Sequence, residues 1–206
     1  MADLSSISLS VRGIGKKFFR QWAVRNVSFD MQSGEQLLIR GANGSGKSTL
    51  LRMIAGQLGP TEGEINFQAE GKNLDQSDWY RYFAWAGPAI DLHADLTMDE
   101  NVELHFRFKK CLLPSVHDLA GELRLGEQRR KILRDFSSGM LQRLKTGLAV
   151  FSHASLLLLD EPTGNLDREN REFIHQIIRT NSASRIIILS SNQDEDFGLY
   201  SREIVL

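Results

Sequence analysis

Hydrophobic and polar residues alternate in the first third of the chain, which is the pattern of strands with one buried face. The alternation covers residues 7–11 and 24–30, and the apolar stretch 36–40 predicts a further strand. Residues 65–67 follow a turn at 59–63, where Gly and Pro interrupt the pattern, and they predict one more strand. The amino-terminal part of the chain is therefore predicted to form β-structure.

The middle of the chain changes to helical spacing, and residues 78–135 are predicted to be mostly helical. Thr97 with Glu100, and Ser115 with Asp118, have the spacing of a capping box, in which side chains close the first turn of a helix. A further helix is predicted by apolar residues that recur every three or four positions: Leu141, Leu144, Leu148 and Phe151.

The last third contains two aliphatic runs of strand length. They cover residues 155–160 and 185–190, and they flank a helical stretch at 169–179. Apolar strands that alternate with helices are typical of parallel sheets buried on both faces. A length of 206 residues suits one domain. The sequence therefore predicts an α/β fold in a single domain.

A Gly-rich loop links the strand at 36–40 to the apolar stretch 50–55, and it fills the pattern G-x-x-x-x-G-K-[ST]. Glycines let successive backbone N–H groups turn towards a phosphate, and the following helix points its positive dipole end at the same anion. Lys47 is expected to reach the β- and γ-phosphates, and the Ser48 hydroxyl to ligate Mg²⁺. The loop therefore predicts binding of a nucleoside triphosphate. Its predicted binding residues are Gly41, Asn43, Gly44, Ser45, Gly46, Lys47, Ser48 and Thr49.

Two acids, Asp160 and Glu161, follow the aliphatic run 156–159. The carboxyl ends of parallel strands form the edge at which ligands of open α/β sheets bind. An acid at this strand end of phosphate-loop proteins helps to hold Mg²⁺, directly or through water, and Asp160 suits that task. Glu161 is the candidate general base for the attacking water.

The composition narrows the possible functions. The net charge of −1 argues against a nucleic-acid partner. The longest aliphatic runs, at 156–159 and 186–189, are far shorter than the roughly 20 apolar residues that span a membrane. Any role at a membrane is therefore expected to depend on a partner. The single cysteine, Cys111, fits a reducing compartment.

The stretch 136–143, which reads Phe-Ser-Ser-Gly-Met-Leu-Gln-Arg, resembles the signature loop of ATP-binding cassette (ABC) ATPases, usually Leu-Ser-Gly-Gly-Gln. It lies just upstream of the strand that ends in Asp160, where the family has it, and the resemblance runs from Ile7 to Leu206. By this resemblance the chain is a single ABC ATPase domain, 1–206, of the compact exporter type that includes haem-exporter-like cassettes. The implied fold is α/β: a P-loop NTPase core with a mostly parallel sheet, an N-terminal antiparallel β subdomain, and an inserted helical subdomain at roughly 78–152.

The resemblance also implies a composite site. In the family the signature loop grips the γ-phosphate of an ATP molecule on the opposite subunit, a role that falls here on Ser137 and Gly139. Asp167 matches the loop that lies across the same interface. Two ATP molecules would then lie between this chain and a second ABC cassette, in a homodimer or a heterodimer.

The family also stacks an aromatic side chain on adenine near the N-terminus. Phe18 falls about where that residue is expected, and Phe19 and Trp22 are alternatives. Core packing is an equally ordinary use of any of these three aromatic residues.

Two residues that the family uses in hydrolysis are missing. The loop Gln is replaced by Pro88 or Ala89, neither of which coordinates a metal, and the switch His is replaced by Asn192, with Ser191 as the alternative. Asn donates hydrogen bonds to phosphate oxygens but cannot carry a positive charge. We therefore expect ATP binding with slow hydrolysis, in which Glu161 and Asn192 are the catalytic residues.

The implied function is that of an ATP-binding and ATP-hydrolysing transporter subunit, with ATP and Mg²⁺ as cofactors and a separate transmembrane subunit as partner. The chain would be peripheral at the cytoplasmic face of a membrane, and no nucleic-acid partner is expected. It would contact its partner through the helical subdomain and the loop at 85–92. A group of aromatic residues would make a suitable apolar anchor there if exposed, although packing inside the protein is the commoner fate of such residues. The alternative is a membrane-associated ABC ATPase that acts as a slow regulatory switch without transport, and a phosphate-loop kinase ranks below both. The aromatic group consists of Trp79, Tyr80, Tyr82 and Trp85.

Overall fold

The structure is a computed structural model, and it describes residues 4–88, 90–164, 166–193, 200 and 202–206.

The amino-terminal part forms strands, as the alternation predicts, and they pair in the antiparallel sheet that the resemblance implies. Its strands are β1 (Ile7–Phe18), β2 (Gln21–Gln32), β4 (Glu62–Ala69) and β5 (Lys72–Asn73), in the order β2-β1-β4-β5. The strands are longer than predicted because β1 and β2 continue their pairing through polar residues, as in the pair of Ser8 and Gln32. Backbone pairing therefore extends β1 and β2 beyond the residues at which hydrophobic and polar side chains alternate.

The second sheet is parallel and has the order β6-β7-β8-β3-β9. The predicted strands of the α/β core are confirmed. The strands are β3 (Gln36–Arg40), β6 (Phe83–Ala86), β7 (Leu156–Asp160), β8 (Ile186–Ser191) and β9 (Arg202–Val205).

The described residues contain five α-helices beside the sheets: α1 (Lys47–Ile54), α2 (Met98–Phe108), α3 (Val116–Glu122), α4 (Ser138–Val150) and α5 (Arg168–Thr180). Thr97 and Glu100 form the predicted capping box at the start of α2, and Ser115 caps α3 through the backbone N–H of Asp118. Each cap satisfies a backbone donor that the first helical turn leaves without a partner.

The parallel sheet lies between two apolar cores, because neighbouring residues of each strand point to opposite faces. Leu156 and Leu158 belong to the core that also contains the antiparallel sheet and α1. Leu157 and Leu159 belong to the other core, which contains residues of α2, α3, α4 and α5. Burial on both faces explains why this strand is a continuous aliphatic run.

The prediction that residues 78–135 are mostly helical is wrong at its start. A 3-10 helix covers Gln76–Arg81, and β6 then pairs in parallel with β7. Four residues with two aromatic side chains do not reveal their partner strand, so sheet pairing decided this element. The helical subdomain at roughly 78–152 stays a prediction, and α2, α3 and α4 lie within it.

In the aromatic group considered as a docking surface, the two tryptophans are packed inside, which is the commoner fate of such residues. Trp79 and Trp85 are 6% and 8% exposed, Tyr82 is partly buried, and Tyr80 is exposed. Phe67 makes edge-to-face contacts with Trp79 and with Tyr82, at centroid distances of 5.8 Å in both pairs. Large aromatic surfaces stabilise the fold more when buried than when left in water, which explains their position.

Candidate functional site

The Gly-rich loop joins the end of β3 to the start of α1 and packs closely against β2. Gly44 and Gly46 have φ angles of 85° and 103°, in the left-handed region that favours glycine. A Cβ atom on Gly46 would lie 2.2 Å from the Ala23 carbonyl oxygen, so that position accepts no side chain without a shift of the backbone. The loop therefore has the left-handed backbone conformation that favours glycine at both positions, and at Gly46 it also has a close packing that only glycine allows.

Lys47 is buried at the first turn of α1, and oxygen atoms surround its ammonium group. Nζ donates to the carbonyl oxygens of Gly41 and Ala42, at 2.8 and 3.1 Å, and lies 3.3 Å from Oε1 of Glu161. A cation held among backbone carbonyls and one carboxylate is positioned to bind further anionic oxygen atoms at the mouth of the loop.

Asp160 ends β7 as a buried carboxylate beside β8. Ser190 Oγ donates to Asp160 Oδ1 at 2.5 Å. The next residue, Glu161, has a φ of 51°, and its backbone N–H donates to the Ser190 carbonyl at 3.0 Å. This left-handed residue turns the chain at the strand end, and the two acids have different partners, Ser190 for Asp160 and Lys47 for Glu161.

One cleft of about 320 Å³ brings together the phosphate loop, the carboxyl end of β7 and Pro88, one of the two residues at the position of the family's loop Gln. The cleft brings together most of the residues that the sequence motifs singled out, and it places Pro88 beside them. Ala89, the other residue proposed at the Gln position, lies outside the described residues. The cleft is lined by Ala23, Asn43, Gly44, Gly46, Lys47, Ser48, Thr49, Pro88, Asp160 and Glu161.

The oxygen atoms in this cleft suit Mg²⁺. Ser48 offers a hydroxyl, and Asp160 retains its oxygen Oδ2, because Ser190 occupies Oδ1. Mg²⁺ at nucleotide sites takes one or two protein oxygens and completes its shell with water and substrate phosphates. No cluster of three or more His, Cys, Asp or Glu side chains that could hold a metal ion occurs in the described part of the chain.

Asn192 follows β8 and reaches the phosphate loop. Its Nδ2 donates to Asn43 Oδ1 at 2.7 Å, and Gln193 Nε2 donates to Asn192 Oδ1 at 2.8 Å. The predicted substitute for the switch His therefore lies at the phosphate loop, held between two further side-chain amides. The motifs did not point to Gln193 or Ser190; their proximity to Asn192 in the sequence was the available signal.

A second cleft, of about 580 Å³, adjoins the first and shares Ala23 and Gly44 with it. All three candidates for adenine stacking, Phe18, Phe19 and Trp22, line this cleft. Phe18 is 45% exposed, and Phe19 is fully exposed at the turn between β1 and β2. The position beside the phosphate loop suits a base, and the choice among the three stays open.

The signature residues form a separate cluster at the starts of α4 and α5. Ser137 caps α4 by accepting from the Met140 N–H at 3.2 Å, and Asp167 caps α5 by accepting from the Asn170 N–H at 2.8 Å. Hydrogen bonds from the Asn170 backbone and side chain lower the pKa of the Asp167 carboxyl. A Cβ on Gly139 would lie 3.7 Å from Asn170 Nδ2, so the cluster is continuous.

Gln142, one turn into α4, connects this cluster with the acids. Its Nε2 donates to the Pro162 carbonyl at 2.9 Å and to the Glu161 carbonyl at 3.3 Å. Because Gln142 bonds to backbone carbonyls, these hydrogen bonds link the position of α4 to that of the loop that carries Glu161. Asn165, within the loop between the acids and Asp167, lies outside the described residues.

Comparisons with known proteins agree with this arrangement. The family model described as "ABC transporter" matches residues 24–164. The cytochrome c biogenesis ATP-binding export protein CcmA of Xanthomonas axonopodis pv. citri is 36% identical over 156 residues, which cover 74% of this chain and 71% of that protein. The sulfate/thiosulfate import ATP-binding protein CysA of Pseudomonas syringae pv. tomato is 31% identical over 216 residues, which cover 97% of this chain and 64% of that protein.

Longer proteins and solved structures match as well. The human cholesterol transporter ABCA5 is 27% identical over 97% of this chain, but the chain spans only 13% of that protein's length. A dimeric structure of a post-hydrolysis state of the ATP-binding cassette MJ0796, bound to ADP and Pi, has a TM-score of 0.81 at 24% identity. The match covers 96% of this chain and 94% of the other, and at this identity it supports the fold.

The described helices include none that is both long enough and apolar enough to cross a membrane. The match over residues 24–164, together with relatives above 30% identity across most of the chain, confirms the predicted family. The chain belongs to the ABC transporter family.

Proposed function

We propose that this chain binds ATP with Mg²⁺ in the cleft beside the phosphate loop and hydrolyses it with Glu161 as general base. The observation that carries the proposal is the convergence of Lys47, Asp160 and Glu161, with Lys47 Nζ only 3.3 Å from the Glu161 carboxylate. The cation that would bind the phosphates and the base that would activate the water are therefore direct neighbours in the cleft.

Each group has a task that its position supports. Lys47 exchanges carbonyl partners for phosphate oxygens, which carry full negative charge and form stronger hydrogen bonds. Glu161 accepts a proton from the attacking water, and its side chain, which is 28% exposed at the cleft, leaves room for that water. Ser48 and Asp160 would hold Mg²⁺, which supplies charge neutralisation between the β- and γ-phosphates.

We further propose that the site is completed by a second ABC cassette. Ser137, Gly139 and Asp167 do not line the cleft that contains Lys47, and each cap is made within its own helix. The start of α4 therefore offers backbone N–H groups and a helix dipole to an anion from outside. ATP bound to the partner cassette, in a homodimer or a heterodimer, is the anion that the family resemblance implies.

The turnover of this site is proposed to be slow. Pro88 lines the cleft where the family has a Gln, and Asn192 offers a neutral amide in place of His. Removal of one positioned donor costs about 10²–10³ in rate. Starting from a median kcat of about 10 s⁻¹, one such loss gives a kcat of about 0.01–0.1 s⁻¹.

ATP hydrolysis by this chain is proposed to drive transport through a separate transmembrane subunit. This chain is proposed to be peripheral at the cytoplasmic face of the membrane. The relatives named above include an export protein and an import protein, so their names assign no direction. Tyr80, the exposed member of the predicted aromatic group, is the part of that surface that stays available for contact.

The test is the ATPase activity of the purified chain, alone and with its membrane partner, in wild type and Glu161→Gln. We expect Glu161→Gln to bind ATP normally and to lower kcat by about 10²-fold or more, because general-base catalysis contributes about 10²–10⁴. Glu64→Gln, on the exposed face of the antiparallel sheet, is the matched control and should leave kcat unchanged. Full turnover in Glu161→Gln would overturn the assignment of the base, and a wild-type kcat well above 1 s⁻¹ would overturn the proposal of slow turnover.

A further inference from the structure

Within the described part of the chain, Ser190 forms hydrogen bonds with both acids at the end of β7. Its hydroxyl donates to Asp160 Oδ1 at 2.5 Å, and its carbonyl accepts from the Glu161 N–H at 3.0 Å. The hydroxyl also lies 3.3 Å from the Glu161 nitrogen. The sequence motifs assigned no task to this residue, although it lies two positions before Asn192.

Burial makes the hydrogen bond between Ser190 and Asp160 persistent. Ser190 is 0% exposed and Asp160 is 2% exposed, so water does not compete for either group. An ionised carboxylate only accepts hydrogen bonds, so the serine hydroxyl must be the donor. Among the described residues the Asp160 carboxylate has no other hydrogen bond, so Ser190 is the group that fixes which of its oxygens is occupied.

Orientation matters here because a carboxylate on a strand end rotates about its last side-chain bond unless a partner holds it. With Oδ1 occupied by Ser190, Oδ2 is the oxygen left for a metal ion. Partners of this kind, which hold a ligand without touching the metal, typically contribute 10–100-fold to metal affinity or activity.

We propose that Ser190 is a positioning residue for the Mg²⁺–ATP site, which acts by holding the Asp160 carboxylate with one oxygen free for the metal. This inference rests on the proposed function, because it assumes that Asp160 takes part in binding Mg²⁺. It assigns Ser190 no contact with the nucleotide or with the reacting atoms.

The experiment compares Ser190→Thr with Ser190→Val, two side chains of the same shape that differ in the hydroxyl. ATP affinity is measured by calorimetry in excess Mg²⁺ and again in EDTA, and the ratio of the two dissociation constants is the readout. We expect Ser190→Thr to keep the wild-type ratio and Ser190→Val to lower the advantage given by Mg²⁺ about 10–100-fold. The affinity in EDTA should stay the same in both variants.

Two controls separate positioning from damage to the fold. Ser155→Ala removes an equally buried hydroxyl at the other end of β7, where it donates to the Ser5 carbonyl at 2.8 Å, and it should keep the wild-type ratio. In an Asp160→Asn background, Ser190→Val should cause no further loss, because residues that act through one another are not additive.

Several results would overturn the inference. Equal ratios in Ser190→Thr and Ser190→Val would show that the hydroxyl is irrelevant, and an equal loss of affinity in Mg²⁺ and EDTA would indicate a structural role. An additional loss in the Asp160→Asn background would mean that Ser190 acts by another route. A wild-type protein whose ATP affinity does not depend on Mg²⁺ would instead refute the metal site of the proposed function, and the inference with it.

Discussion

The two ends of β8 both bury polar side chains, but they satisfy them in different ways. At the amino end, the guanidinium of Arg185 is 1% exposed and donates to the carbonyl oxygens of Val150 and Ser152. These carbonyls lie at the carboxyl end of α4, where the helix dipole is negative and backbone acceptors lack helical partners. Burial lowers the pKa of Arg185 to about 10, so the side chain stays charged at neutral pH.

At the carboxyl end, the partners are side chains of the proposed active site. Ser190 binds Asp160, and Asn192 binds Asn43 of the phosphate loop. Burial of a polar group does not by itself indicate function, because Arg185 at one end and Ser190 at the other are both almost completely buried. The kind of partner separates them: backbone carbonyls at the amino end, and side chains with chemical tasks at the carboxyl end.

The largest effect expected from this comparison is on stability. Arg185→Met keeps most of the volume but leaves the Val150 and Ser152 carbonyls without their donor, which should lower the free energy of unfolding by about 1–3 kcal/mol. The measurement is the urea midpoint, with Arg185→Lys as the variant that keeps the charge and should lose less. Turnover per folded molecule should equal that of wild type. A lower kcat at unchanged stability would contradict the structural role of the amino end.

The next largest effect is expected at the carboxyl end. Asn192→His restores a side chain that can carry charge beside the phosphate loop, and we expect kcat to rise about 10-fold, part of what a positioned donor contributes. Because His titrates near pH 6.5, the gain should be larger at pH 6 than at pH 8. The measurement is the pH profile of kcat in wild type, Asn192→His and Asn192→Ala. A kcat in Asn192→His that stays at the wild-type value would mean that the missing His does not limit turnover.

The smallest effect is a pH dependence of stability near the amino end. His105 on α2 contacts Ser152 Oγ at 2.9 Å, and because that hydroxyl donates to the Leu148 carbonyl, His105 Nε2 is the donor. Burial, and then the nearby charge of Lys109, lower the pKa of His105 below its usual 6.5. The folded state therefore binds this proton less readily than the unfolded state, and the stability that neutral His105 contributes is present above pH 6.5 and lost as the pH falls below it.

The check is the urea midpoint of wild type and His105→Gln at pH 7.5 and pH 5.5. Gln keeps a donor near Ser152 and does not titrate, so its midpoint should fall less on acidification. An equal fall in both proteins would assign the pH dependence to other groups.

The elements with strong local signals could be predicted from the sequence. The caps at Thr97 and Ser115 depend on residues three positions apart, and the structure confirms both. The strand β6 and the burial of Trp79 and Trp85 could not be predicted, because both depend on what lies opposite in space. A short strand has no period of its own that differs from a piece of helix, so its neighbour β7 determined it.

The amino-acid sequence was enough to identify the phosphate loop and the pair Asp160–Glu161, because each is a run of consecutive residues whose chemistry requires that spacing. These runs, with the signature-like stretch 136–143, were also enough to identify the family. Tertiary structure alone decided which residues support them. Ser190 reaches Asp160 across 30 positions of sequence, and Asn192 reaches Asn43 across 149. Contacts of that range leave no periodic or spacing signal, because the parallel sheet, with a helix between successive strands, brings distant segments side by side. The folded chain therefore adds, to the residues that the motifs predict for the site, the groups that we propose to support them.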